Sequence, residues 1–418
     1  MTQYLDDLAA FIHASPSPYH VTAQVAARAA EAGFTVVDDA PGDLPSQPGG
    51  YVLVRDGAVV AWRIPENLPQ HPSFRIIGAH TDSPTFRVKP LPNTTSAGYN
   101  RVGVEIYGGV LVNSWLDRDL GFAGRLITDD GAHLVRTPSM ARIPQLAIHL
   151  DRSVNDGLKL DRQQHLVPIV GAGGDADILA AIAQHAEVDP AQIKGFDLVL
   201  TDTQEPATIG IDNDFFAAPR LDNLLSVHAG LRALLDAESE HITVLAAFDH
   251  EEVGSETRTG AGGPMLDEML TLIMASQNIP VHLHRSIIAH SKLLSADGGH
   301  LVHPNYADRH DPEHQPKPNH GPILKVNATQ RYLSDGRGAA QFNRWAEQAG
   351  IPHQVFVSKN TQPSGSTIGP ISATRLGIET IDAGVGLLSM HSVREMCGAQ
   401  DPEYLARLAG AFLQDLQA

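Results

Sequence analysis

The run Ile242-Thr243-Val244-Leu245-Ala246-Ala247-Phe248 holds no charged residue and ends in Asp249-His250-Glu251-Glu252-Val253-Gly254-Ser255. An unbroken apolar run rich in β-branched residues, bounded by turn signals, reads as a buried strand. A half-exposed strand would alternate apolar and polar residues, and this one does not. Side chains diverge at a strand end and in the turn after it. Glu251 and Glu252 are therefore free to take different roles, one as a metal ligand and one as a base facing a metal-bound water. Taken alone, a Glu-Glu pair is equally a solvated acidic turn.

The rest of the chain repeats this rhythm. A helix over residues 4–33 is broken at Ser15-Pro16-Ser17-Pro18 and closes at Gly33. Tyr51–Arg55, Asp56-Gly57 and Ala58–Trp62 read as a hairpin. A strand over 74–79 delivers His80-Thr81-Asp82 to a sheet edge. From about 206, a helix from Asp222 to Leu235 precedes the 242–248 strand. A helix over 336–349 then leads to a strand at 355–357. After a Gly/Ser loop at 364–369 a helix runs to Leu376, then a strand at 378–381, and a terminal helix spans 401–417. Strands alternating with helices predict an α/β fold with a mostly parallel sheet covered on both faces.

Between 89 and 205 the texture changes to short β-like pieces among Gly, Pro and Asn/Asp turns. The stretch 141–170 is irregular, and one short helix is expected near 175–187. With 418 residues, more than the ~250–300 that one core usually holds, the chain is expected to form two domains. The predicted division is 1–88 with 206–418, interrupted by a β-rich insertion over 89–205.

A formal net charge of −18 opposes nonspecific nucleic-acid binding. No apolar run reaches the ~18 residues of a membrane span, and acids stand where a leader peptide carries bases. The lone Cys397 allows no intrachain disulfide and reads as a buried thiol. A soluble, cytoplasmic protein is expected, without nucleic-acid or membrane partners. His13, His71, His133 and His241 read as surface or capping residues. The cluster His300, His303, His310, His314 and His320 raises metal binding without establishing it.

Five segments place a metal-ligand type just after an apolar run: His80 with Asp82, Asp222, Glu251 with Glu252, Asp297, and His391. Ligands gather at the carboxyl ends of strands in open α/β sheets, so distant residues can converge there. Two His, two Asp and one Glu can surround two divalent ions if one aspartate bridges them. Such a set, lacking thiolate, suits zinc, with manganese or cobalt as substitutes. Each residue also has an ordinary reading: Asp222 as a helix cap, His80 as a strand-end histidine, Asp297 as a turn aspartate, His391 as a core or surface residue.

The wording of these segments resembles a known family. Gly78–Pro84, Pro219–Asn223, Glu251–Ser255, Ser295-Ala296-Asp297 with His300 and His303–Tyr306, Ser366–Pro370 and Met390–Glu395 follow in order. Together they resemble the aspartyl aminopeptidase family of dinuclear zinc exopeptidases, nearly end to end. The resemblance implies a three-layer α/β/α peptidase domain with an inserted β-rich dimerisation domain, assembled into tetrahedral dodecamers. It implies Asp222 as the aspartate bridging two zinc ions, with His80 and Asp297 completing one site and Glu252 and His391 the other. Glu251 would be the general base acting on a water that bridges the ions, and Asp82 would orient His80. His149, in Pro144–Leu150, would reach a neighbouring subunit's active site and help stabilise the oxyanion. Otherwise it is a histidine in an insertion strand. Lys325, in Gly321–Asn327, would lie near the pocket for the first substrate side chain and favour Asp or Glu; a plain surface lysine is the alternative.

Two departures stand out. Gly298-Gly299 replaces bulkier apolar residues, and His250 stands where asparagine is common. The implied activity is removal of single N-terminal residues from peptides. Competing readings are a leucine-type or broad aminopeptidase, a dinuclear deacylase or carboxypeptidase, and a noncatalytic scaffold.

Overall fold

The computed structural model describes residues 2–39, 42–70 and 72–415. His71 and the end of the helix expected to reach 417 lie outside the described residues. The chain divides into two compact units, Met1–Asp82 with Pro206–Met390 and Glu395–Ala418, and Ser83–Glu205 with His391–Arg394.

In the first unit a nine-stranded sheet runs in the order Thr35–Val37, Gly49–Arg55, Ala58–Ile64, Ile242–Phe248, Phe74–His80, Lys292–Ala296, Glu379–Gly384, Ile323–Val326, Gln354–Val357. The four strands from Ile242–Phe248 to Glu379–Gly384 are parallel to one another. Their unbroken apolar character has a direct cause, because both faces are covered. Leu245 and Ala247 pack with Leu224, Leu408 and Phe412 on one side. Val244, Ala246 and Phe248 pack with Met265, Met269 and Ile273 on the other. The result is three layers, helix on sheet on helix.

The helices Gln3–Ala14 and Pro18–Glu31 bracket the expected break. Thr2 caps the first by accepting from the Leu5 N–H, and Pro18 opens the second where a missing N–H costs nothing. Arg55 pairs with Ala58 across Asp56-Gly57, giving the two-residue hairpin turn. Gly57 is required there, since a Cβ would overlap the Asp249 carboxylate. Two helices, Met265–Ser276 and Val281–Ala289, had no counterpart in the sequence reading.

The strands also start on charged residues in register. Lys292 pairs with Arg75 on one side and Glu379 on the other. Arg75 and Lys292 are almost fully buried. Asp415 closes this edge, accepting from Trp345 Nε1 at 2.7 Å and Arg344 Nη2 at 3.0 Å, with Lys292 Nζ at 3.8 Å. Its backbone carbonyl accepts from Arg75 Nε at 3.2 Å and from His241 Nε2 at 2.9 Å.

The second unit holds a six-stranded antiparallel sheet in the order Gly131–Arg136, Leu120–Thr128, Gly195–Asp202, Thr85–Ser96, Tyr99–Tyr107, Ile169–Ala172. Phe86, Trp115, Phe122, Leu126 and Leu198 fill its core, with Trp115 set edge-on to Phe86. Thr85–Ser96 belongs wholly to this unit, which therefore starts ahead of position 89. The helix expected near 175–187 is shorter, Ile178–Ala183 followed by a 3-10 turn.

His241 yields a pH prediction. Its Nε2–H is committed to the Asp415 carbonyl, so Nδ1 accepts from the Ser73 hydroxyl at 2.8 Å and the ring is neutral. Burial, reinforced by the Arg75 charge, pushes its pKa down to about 4. The unfolded chain then binds the proton more readily, so this contribution is present above about pH 6.5 and is lost as pH falls towards 4. The melting temperature of wild type should therefore fall more steeply between pH 6.5 and 4.5 than that of His241→Gln. Parallel curves would refute the assignment.

Candidate metal centre

Three adjacent parallel strands deliver the site from one edge. The register pairs Phe248 with His80 and Ser295 with Gly78, so His80, the turn after Phe248, and Asp297 emerge side by side. Asp222 arrives from elsewhere, at the start of the Leu221–Leu235 helix. There Arg220 adopts a left-handed backbone, φ 55°, and Asp222 itself is not helical. The helix-cap reading of Asp222 fails, because its carboxylate is turned onto His80.

His80 Nε2 lies 3.2 Å from Asp222 Oδ1 and 3.7 Å from Asp297 Oδ1. Donor atoms of His80, Asp222 and Glu252 all fall within 4.8 Å of one another. His80 Nδ1 donates to the Asp82 backbone carbonyl at 3.0 Å, and the Asp82 carboxylate stands off at 3.4 Å. The ring is thus fixed with Nε2 facing the carboxylates.

The Asp82 carboxylate has a further task that the sequence did not disclose. Its two oxygens accept the backbone N–H groups of Glu251 and Glu252, each at 3.1 Å. His250 and Gly254, both left-handed, bracket the 3-10 turn Glu251–Val253 between them. One carboxylate therefore clamps the turn that presents both glutamates. Glu395 was also missed. It accepts the Asp222 N–H at 2.9 Å, while Asn223 Nδ2 donates to the Ala296 carbonyl at 2.9 Å. The only sequence signal for Glu395 was its place at the end of the Met390–Glu395 segment.

Lys325 is 2% exposed, which excludes the surface-lysine reading. Its Nζ donates to the Gly298 carbonyl at 2.6 Å and sits 5.3 Å from the Tyr332 ring centroid. Burial opposes its charge, but the neighbouring Asp297, Tyr332, Asp382 and Asp222 hold its pKa above the ordinary lysine value. His149 is exposed, in a turn of the second unit rather than a strand. His391 is grouped with that unit too, its Nδ1 3.1 Å from the Gly109 carbonyl. Among the described residues the histidines of 300–320 form no metal-type group, and His314 pairs with Asp311 at 2.8 Å.

The electrostatics of this group favour a cation. Burial raises the pKa of Glu251 to about 8, with His80 opposing and Asp297, Asp222 and Asp82 reinforcing the rise. Glu252 is driven well above the ordinary carboxyl range by burial and by Asp222. His80 resists its own burial because Asp222, Asp297 and Asp82 favour its protonated form. Five carboxylates on one imidazole is an excess of negative charge that a divalent cation relieves. The donors, imidazole nitrogen and carboxylate oxygen without thiolate, fit zinc.

Comparison with known proteins agrees. The sequence profile described as aminopeptidase I zinc metalloprotease (M18) matches residues 11–413. A probable M18 family aminopeptidase 2 of Streptomyces coelicolor is 51% identical over 422 residues, covering 98% of both chains. Its namesake in Pseudomonas paraeruginosa is 40% identical, covering 96% of each. Among solved structures, the complex of Ape4 and Nbr1 contains a chain with a TM-score of 0.93 and 35% identity, covering 98% of this chain and 85% of that one. The S. cerevisiae mApe1 dodecamer gives a TM-score of 0.87 at 28% identity, covering 98% and 96%.

The clamp by Asp82 is testable. Asp82→Ala strands two partly buried N–H donors, each costing up to ~1–3 kcal/mol. Its melting temperature and bound zinc should both fall, and Asp82→Asn, which keeps one acceptor, should fall less. Equal losses in the two variants, or none in Asp82→Ala, would rule the clamp out.

Proposed function

The chain belongs to the M18 family of zinc metallo-aminopeptidases, and on that premise we propose that it removes single N-terminal residues from peptides, favouring Asp and Glu, with Glu251 as general base. The observation that carries this reading is the division of labour at one turn. Glu252 shares its donor space with His80 and Asp222, while Glu251, held by the same Asp82 clamp, is not part of that group.

A pair of zinc ions held by His80, Asp222, Asp297 and Glu252, with Asp222 shared, would polarise the scissile carbonyl and acidify water. His391 enters this set only through the sequence resemblance. Glu251 takes the proton of the attacking water and returns it to the leaving amine. Asp82 keeps the turn, and so both glutamates, from drifting as charge moves through the site. His149, exposed in its turn, is proposed to act on a neighbouring subunit, donating to the oxyanion.

Lys325 supports the acidic preference. One of its three N–H donors is used on Gly298, and two are left for a substrate carboxylate. A desolvated ammonium attracts a carboxylate strongly at short range. This attraction must be local, because the −18 overall charge repels acidic peptides at a distance. A broader preference is the second reading, favoured by the bond from Lys325 to Gly298, which gives the lysine a structural task.

The mApe1 relative is a dodecamer. We extend that assembly to this chain as a tetrahedral dodecamer built from dimers, with the inserted unit, Ser83–Glu205, as its oligomerisation domain and the cytoplasm as its compartment.

The test is release of amino acids from aspartyl-, glutamyl- and leucyl-peptides by zinc-loaded protein, with N-acetylated controls. Fast release from free-amine acidic peptides and none from acetylated ones is expected. Glu251→Gln should lower kcat by roughly 10²–10⁴-fold while keeping its zinc. Lys325→Met should shift kcat/KM from acidic towards leucyl substrates. Turnover of acetylated peptides, or an active Glu251→Gln, would overturn the proposal, and an unchanged substrate ratio in Lys325→Met would leave only the broad reading.

A further inference from the structure

The second unit carries a cleft of about 510 Å³ with an unusual charge balance for so acidic a chain. It opens where the strands Thr85–Ser96 and Tyr99–Tyr107 slip register. Val88 pairs with Val104 but the next pair is Asn93 with Val102, so Lys89-Pro90-Leu91-Pro92 bulge opposite Gly103. Lys89 and Arg101 line the cleft from this bulge, and Arg162, Gln163, Gln164 and His165 line it from the facing loop.

Four other arginines of this unit find carboxylates. Arg87 and Arg125 hold Asp197, Arg118 holds Asp202, and Arg142 holds Asp119. Lys89, Arg101 and Arg162 make no ion pair among the described residues. The nearest candidates do not serve them. Glu105, farther along the strand that carries Arg101, is exposed and makes no ion pair either. Asp161 spends Oδ1 on the N–H groups of Gln163 and Gln164, both at 2.8 Å. His165 Nδ1 accepts the Asp161 N–H at 3.0 Å, so its neutral ring carries its proton on Nε2 as a further donor. Arg101 Nε is buried and has no acceptor. The charged side chains that line the cleft are all cationic, set among the polar Thr94, Gln163 and Gln164.

We propose that this cleft is a binding site for a compact polyanion carrying two or more phosphate groups. Two planar guanidinium forks beside one ammonium match phosphate oxygens better than any neutral ligand. The volume suits a pyrophosphate-to-nucleotide-sized group. The cations are gathered around one cavity rather than strung along a groove, which favours a compact anion over an acidic peptide.

The probe is tripolyphosphate, titrated calorimetrically into zinc-loaded protein, with ATP and a hexaglutamate peptide as separate arms. Because phosphates also bind zinc, the deciding comparison is Arg101→Gln/Arg162→Gln, with Lys89→Gln as a second variant should the double variant fail to fold. Binding to wild type, weakened roughly tenfold or more in either variant and by added salt, is expected. Zinc content and peptidase activity should stay unchanged in the variants. ATP binding as tightly as tripolyphosphate would identify the phosphates as the recognised group, and tighter ATP binding would add its nucleoside. No binding, equal binding by wild type and variants, or binding of hexaglutamate alone would overturn the site.

Discussion

The repulsion among carboxylates around His80 is the constraint on which the rest of the active unit depends. Burial and the charges of Asp82 and Asp222 raise the proton affinity of Glu251 and Glu252, Asp297 adds to it at Glu251, and the same aspartates favour a proton on the His80 imidazole. Buried like charges at this spacing separate or neutralise unless something holds them. The fold supplies the holding in layers. Parallel strands in fixed register bring His80, the Glu251-Glu252 turn and Asp297 to one edge, and the backbone of that turn is tied to Asp82. Asp222 is tied by its own N–H to Glu395, with the next residue bonded to Ala296. A divalent cation then turns repulsion into a coordination set. The opposite strand edge follows similar logic with the signs reversed, as Asp415 gathers Arg344, Trp345 and Lys292.

Much of this was legible in the sequence because it is encoded locally. A seven-residue apolar run ending in two acids announces both a covered strand and the place where chemistry emerges. Asp56-Gly57 announces a hairpin, and Ser15-Pro16-Ser17-Pro18 a helix break. The grouping of His80, Asp222 and Glu252 was legible only through the resemblance of whole segments, since spacing along a chain does not fix convergence in space.

What escaped the reading depends on register and backbone contacts. The Asp82 carboxylate serves the N–H groups of residues far along the chain, which no motif states. Lys325 looked equally like a surface residue because its strand, Ile323–Val326, gains its burial by lying between Glu379–Gly384 and Gln354–Val357, which no local pattern announces. The second unit's start at Ser83 was hidden because only Ser83-Pro84 separates His80-Thr81-Asp82 from the strand Thr85–Ser96, too short a stretch to read as a linker. The helix Met265–Ser276 follows the glycine-rich stretch 260–263 and Val281–Ala289 follows Pro280; the sequence reading assigned neither. The unpaired cations around Arg101 are visible only once the neighbouring arginines are seen with their aspartates.

The most direct test of the central claim is calorimetric titration of zinc into chelator-stripped protein, with the melting temperature followed alongside. Relief of carboxylate crowding predicts saturable zinc binding and a rise in melting temperature that tracks occupancy. It also predicts that Asp222→Asn, which removes the carboxylate set 3.2 Å from His80 Nε2, loses both effects. Zinc binding that leaves the melting temperature unchanged, or that is equally tight in Asp222→Asn, would contradict the account.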